Sequence, residues 1–176
     1  MKLDRIDPNF SVKPCSEHGG NLFFDAKNAP FTLHGVFFAD QKFRRMPEKI
    51  AKTVSPGVYA LHTNTAGGRV RFATDSAHIH IRAVLDNPGK MPHFALTGSC
   101  GFDLHTGRRY VGTFIPPFDV KKNFNSTVTV PEDLDDGTVR TYTLHLPLYS
   151  DVKKLQIGID KGAVLEAPAD YKLPRR

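Results

Sequence analysis

The chain has no tryptophan, only two cysteines and only five tyrosines among its 176 residues. Without indoles it lacks the broad aromatic platform on which sugar rings usually stack, which counts against a glycan-binding surface. Cys15 and Cys100 lie far apart and fit no metal spacing. They are expected to be reduced and partly buried, with a disulfide between them as the alternative. No apolar run is long enough to cross a bilayer, and the start, MKLDRIDPNF, has no apolar leader segment. A soluble chain with no membrane partner is expected, either cytoplasmic or secreted with a leader already removed. Concentrated charge is also missing. The net charge is +6, yet the densest basic clusters are pairs: Arg44-Arg45, Arg108-Arg109, Lys121-Lys122, Lys153-Lys154 and Arg175-Arg176. A nucleic-acid partner is not expected, because such proteins gather their charge on one face.

The residues that are present describe one β-rich domain. With 40% hydrophobic and 24% charged residues the chain can bury one real core and little more. Thirteen prolines and fourteen glycines cut it into short pieces, and these pieces alternate apolar with polar residues as half-buried antiparallel strands do. The clearest are VYALH (58–62), RVRFAT (69–74), HIHIRAVL (78–85), RYVGTF (109–114), STVTV (126–130), RTYTLHL (140–146) and KLQIGI (154–159), with LFF (22–24) and HGVFF (34–38) before them. Only PEKIAKT (47–53) reads as helix, because Pro suits a first helical position and Pro56-Gly57 bring it to an end. The economical fold is all-β: a two-sheet antiparallel sandwich, jelly-roll-like, with one short helix. The sandwich is assigned to residues 1–166. The tail, EAPADYKLPRR, loses the alternation, and residues 167–176 read as a linker.

Several motifs invite chemistry. His78 and His80 form His-x-His on a strand, which puts both rings on one face as a cupin-type metal site requires. The expected Glu is missing, and Ile79, Ile81, Ala83 and Leu85 claim the core side, so no metal and no cofactor are expected. Arg69 and Arg71 alternate with Val70 and Phe72 in the same way. If the two strands pair through the turn at 75–76, Arg69, Arg71, His78, His80 and Arg82 share one basic outer face, a candidate docking surface. No G-x-S-x-G elbow occurs, Asp75-Ser76 reads as ordinary turn chemistry, and Gly67-Gly68 precedes a strand and not a helix. No catalytic residue is assigned.

Four blocks together resemble a known family. They are NTAGGRVRFATDS (64–76), MPHFALTGSCGFDLH (91–105), YTLHLPLYSDVKKLQIGID (142–160) and the PEKIAKT segment. In this order they are similar to the N-terminal β-sandwich (GxDLY-type) domain of SGNH (GDSL-type) hydrolases. Gly101-Phe102-Asp103-Leu104 lies on the motif, and His105 stands where the motif has Tyr. The resemblance implies a noncatalytic accessory module of an esterase or acylhydrolase acting on acylated carbohydrate or a related ester. Its implied partner is a C-terminal SGNH catalytic domain, on which the module packs and whose substrate cleft it could shape. The loop 91–103 would face that partner, with Gly98 and Gly101 letting the backbone bend and Asp103 capping backbone N–H groups or pairing with an Arg. The interface or substrate-proximal candidates are Asn64, Arg69, Arg71, His80, Arg82, His93 and Asp103. An isolated domain could self-associate through such a surface. The competing readings are a stand-alone carbohydrate-binding jelly-roll module, and a self-sufficient enzyme using the His-rich face.

Overall fold

The computed structural model describes residues 12–120 and 123–171. The alternating segments become strands of two packed sheets. The first sheet contains β1 (Ser16–His18), β2 (Asn21–Asp25), β12 (Asp151–Asp160), β7 (His78–Asp86) and β10 (Asn123–Thr129), in that order. The second contains β13 (Leu165–Glu166), β6 (Arg69–Thr74), β11 (Arg140–His145), β8 (Phe102–Thr106) and β9 (Arg109–Phe114), with β3 (Thr32–His34) also paired to β6. A small hairpin of β4 (Phe37–Ala39) and β5 (Lys42–Arg44) stands beside them. All pairs are antiparallel.

Each strand turns its apolar set inward. Val70, Phe72, Tyr142, Leu144, Phe102 and Leu104 from the second sheet meet Phe24, Ile79, Ile81, Leu85, Leu155 and Ile157 from the first. Each such side chain contributes about 1.5–3 kcal/mol when fully buried. Tyr142 continues a ring stack with Phe72 at 5.9 Å, and Phe72 meets Phe31 edge-on at 5.6 Å.

Two expectations are corrected here. Residues 58–62 are not a strand: they lie in and just beyond α2 (Pro56–Leu61), so the domain has three helices among its described residues, with α1 (Glu48–Val54) and α3 (Leu96–Cys100). Ser55-Pro56 explains the change. Pro occupies the first turn, where its missing N–H is harmless, and the Ser55 hydroxyl caps it by accepting from the Val58 amide at 3.2 Å. The alternation in VYALH therefore reports no sheet face. Secondly, β6 and β7 do not pair. The turn 75–77 carries the chain from one sheet to the other, so Arg69 and Arg71 lie on one outer face of the sandwich, while His78, His80 and Arg82 lie on the opposite one.

The two ends of the sandwich differ. The connections at 75–77, 107–108, 130–139 and 161–164 sit at one end and contain no helix. Residues 35–68, 87–101, 115–120 and 146–150 lie at the other, which carries α1, α2, α3 and the β4–β5 hairpin. From β13, at the plain end, residues 167–171 run back along the outer face of the second sheet. The Ala169 amide donates to Thr141 Oγ1 at 3.1 Å, and Tyr171 lies over Arg71, near Arg69 and His34.

Candidate functional site

Two surfaces concentrate polar chemistry: the outer face of the second sheet and the helix-bearing end beside it. On the outer face, cross-strand register sets His34, Arg69, His145, Asp103 and Thr113 in one row. A second row holds Thr32, Arg71, Thr143, His105 and Tyr110. The His105 ring approaches His145 at 5.0 Å and Tyr110 at 5.6 Å. Burial holds His145 below its ordinary value, aided by His105 and the Arg69 guanidinium, with Asp103 acting in the other direction.

Asp103 lies within β8, not in the preceding loop, and its bond corrects the expected role. It accepts from Thr113 Oγ1 at 2.5 Å, which in turn exchanges a hydrogen bond with the Tyr110 hydroxyl at 2.7 Å. It therefore anchors β9 through hydroxyls and caps no backbone donor. Gly101, which opens the motif, has no left-handed backbone requirement. A Cβ there would sit 2.3 Å from the Thr97 carbonyl oxygen, so only glycine lets the strand leave α3 this closely. Leu104 points to the core and His105 to the outer face.

Arg71 is 92% buried, since only 8% of its surface is exposed. Its guanidinium lies 4.0 Å from the centre of the Tyr171 ring and donates to the Ala169 carbonyl at 2.8 Å, while its Nε is buried without a hydrogen bond. Arg69 stands 5.9 Å from the same ring. Part of the expected basic row is thus already covered by the chain's own residues 167–171.

On the opposite outer face the row has a structural task. Gly158 leaves room for the Phe23 ring, which would lie 2.6 Å from a Cβ there. Arg82 covers that ring at 3.7 Å and donates to Ser16 Oγ at 3.3 Å. His80 stands 6.2 Å from Phe23, shares a hydrogen bond with Thr127 Oγ1 at 2.8 Å, and has Asp160 at 3.9 Å. Burial lowers its pKa against the pull of Asp160. Asp160, which sequence reading passed over, gathers the turn: it accepts from Ser76 Oγ at 3.0 Å and from the His78 amide at 2.9 Å, with His78 Nδ1 at 3.2 Å. Burial opposes its charge, but these donors outweigh it and hold the carboxyl below its ordinary value. Ser, His and Asp thus meet without the geometry of nucleophilic catalysis, because the single proton of the buried Ser76 hydroxyl is shared between the Asp160 carboxylate and the His78 carbonyl, at 2.7 Å, and no imidazole accepts it. No group of three or more His, Cys, Asp or Glu side chains suited to a metal occurs among the described residues. Both cysteines are free thiols, with Cys15 exposed and Cys100 buried.

At the helix-bearing end, Asn64 donates to Asp151 Oδ1 at 3.0 Å, and Lys42 Nζ binds the other oxygen at 3.1 Å. Asn64 also lines a cleft of about 170 Å³ with Arg45, Leu61, Ala66, Leu148 and Tyr149. His93 is exposed in the 87–95 segment, next to Phe94, whose ring meets the cleft-lining Tyr149 edge-on at 5.4 Å. The segment expected as one loop over 91–103 contains α3, and a hydrogen-bonded network ties it down. The Leu148 and Tyr149 amides donate to the Gly98 and Ser99 carbonyls at 3.1 and 3.2 Å, and Ser150 Oγ donates to the Ser99 carbonyl at 2.9 Å.

The arrangement of motif, helix and sandwich has a counterpart among known proteins. The family described as GxDLY, the N-terminus of SGNH-hydrolase-type esterases, matches residues 22–165. The chain belongs to this family. No protein of curated function matches it by sequence. Among solved structures, the GxDLY domain resembles a GDSL-like lipase from Bacteroides ovatus, with a TM-score of 0.71 and 21% identity over 85% of this chain and 44% of that one. It also resembles the salicylyl-acyltransferase SsfX3 from a tetracycline biosynthetic pathway, with a TM-score of 0.61 and 19% identity over 89% of this chain and 44% of that one. At these identities the likeness concerns the fold, and the GxDLY chain spans under half the length of either protein. No helix among the described residues is long and apolar enough to cross a membrane.

Of the residues singled out in sequence, only Arg69, Arg71 and Asp103 come together on one face. Arg82 and His80 share the other, Asn64 belongs to the end cleft, and His93 is exposed in the 87–95 segment of the same end. His145 and His34 were missed, although the alternation RTYTLH already set His145 opposite Tyr142 and Leu144.

Proposed function

We propose that the chain is the noncatalytic N-terminal accessory module of an SGNH-type esterase or acylhydrolase, packing on a C-terminal catalytic domain and shaping its substrate cleft. Its ester substrate is an acylated carbohydrate or a related ester, the class the family resemblance implies. The observation that carries the reading is the family match over residues 22–165, joined to a described fold in which Ser76, His78 and Asp160 meet in a non-nucleophilic arrangement. Incubated alone with p-nitrophenyl acetate, the chain is expected to show no rate above that of an unfolded control. A saturable rate abolished by a single Ser or His substitution would make it an enzyme in its own right. Sequencing the source gene beyond codon 176 tests the rest: a GDS-type nucleophile block downstream is expected, and an immediate stop codon overturns the reading.

A further inference from the structure

We infer that the helix-bearing end of the sandwich, centred on α2 and residues 146–150, is the surface on which the catalytic domain seats. The inference rests on the accessory-module reading and specifies its interface. Leu61 is 42% exposed, Leu148 40% and Tyr149 38%, and all three line the cleft of about 170 Å³. Ile115 and Phe118, in the connection after β9 at the same end, are 64% and 95% exposed. Apolar side chains gathered at one end, next to a cleft, mark an interaction surface more than a solvated one.

The surface is also held in shape. Residues 146–150 are fixed from both sides: the Leu148 and Tyr149 amides bond to α3, and Thr65 Oγ1 donates to the Pro147 carbonyl at 2.9 Å. A pre-ordered loop loses little freedom when a partner covers it. The opposite end is different, because its charges are paired within the domain: Arg109 with Asp133, Arg140 with Asp136 and Lys161 with Glu17. Its exposed large apolar side chain is Val139, at 37%.

The path of the chain selects the occupant. From β13 at the plain end, residues 167–171 travel the length of β6, and Tyr171 lies beside Arg69 and His34. Arg69 begins β6, and residues 61–68 immediately before it supply Leu61, Asn64 and Ala66 to the cleft. A domain continuing from this segment is delivered to the apolar end, where a contact of about 600–1,500 Å² suffices for an interface within one chain.

The test is thiol accessibility in the two-domain parent against the present chain, in a Cys15→Ser background. Single substitutions Leu61→Cys and Leu148→Cys probe the end, Tyr110→Cys the outer face of the second sheet, and Lys154→Cys that of the first. All four positions are exposed, so folding is retained and is checked by thermal melting. Maleimide labelling is expected to be at least tenfold slower at Leu61→Cys and Leu148→Cys in the parent than in the isolated chain, with Lys154→Cys equal in both. Protection at Tyr110→Cys or Lys154→Cys instead of the end positions overturns the placement and leaves the accessory role standing. Protection nowhere, or a gene with no second domain, overturns both. Protection of the end positions in the isolated chain that grows with concentration assigns the surface to a second copy, and the inference falls.

Discussion

At the scale of the residue, two glycines show how much of this surface is decided by the absence of a single carbon. Gly101 abuts the Thr97 carbonyl, which belongs to the backbone and cannot swing away, whereas Gly158 abuts the edge of the Phe23 ring, which can tilt. Gly101→Ala is therefore expected to cost about 1–3 kcal/mol in urea unfolding and Gly158→Ala less; the reverse order would show that the strand can move off α3. The imidazoles are the other informative residues. His80 and His145 both sit below the ordinary value of 6.5, chiefly because burial disfavours the cation. His80 faces Asp160, His78 and Arg82, and His145 faces His105, Arg69 and Asp103. Above pH 6.5 both folded and unfolded states carry neutral rings, and the folded state keeps its full stability. As the pH falls below 6.5 the unfolded chain takes up protons first, so stability declines until the folded values are passed. Guanidinium unfolding between pH 7.5 and 5 is expected to show this loss, and His145→Gln to flatten it. An unchanged slope in that variant would remove His145 from the account.

At the scale of the element, the limits of β6 and β9 could be read to the residue, and those of β7 to within one, because strict alternation reports burial directly. The same signal fails at 58–62, where Ser55-Pro56 starts a helix against a strand-like pattern. It also fails to say which sheet a strand joins. Arg69 and Arg71 show the same period as His80 and Arg82, but a hairpin turn and a sheet-switching turn at 75–77 look alike in sequence. Asp160, 82 positions from His78, carries no local sign that it will meet that turn. The β4–β5 hairpin likewise depends on a distant partner. Lys42 reaches Asp151, whose side chain is only 4% exposed and which also holds Asn64. Lys42→Met is expected to cost about 3 kcal/mol, since it leaves a buried carboxylate without its cation. Adding Asp151→Leu should recover part of that loss in chemical denaturation. A single variant as stable as the parent would mean that Asn64 and solvent satisfy Asp151 unaided.

At the scale of the whole molecule, the sandwich has two unlike ends, and residues 167–171 run between them across the outer face of the second sheet. Arg71 is the fastening point. Its guanidinium has the Tyr171 ring at 4.0 Å and the Ala169 carbonyl at 2.8 Å, so both its cation–π contact and its hydrogen bond come from that segment. A cation over an aromatic ring contributes about 0.5–2 kcal/mol depending on how dry it is. Arg71→Ala should therefore destabilise the chain, and removal of residues 167–176 should do the same. If the two act through one contact, Arg71→Ala will cost less in the truncated chain than in the intact one. A non-additivity of about 0.5–2 kcal/mol is expected from a double-mutant cycle in urea. Strictly additive losses would show that the segment does not depend on Arg71, and the route by which the chain is delivered to the apolar end would need another anchor.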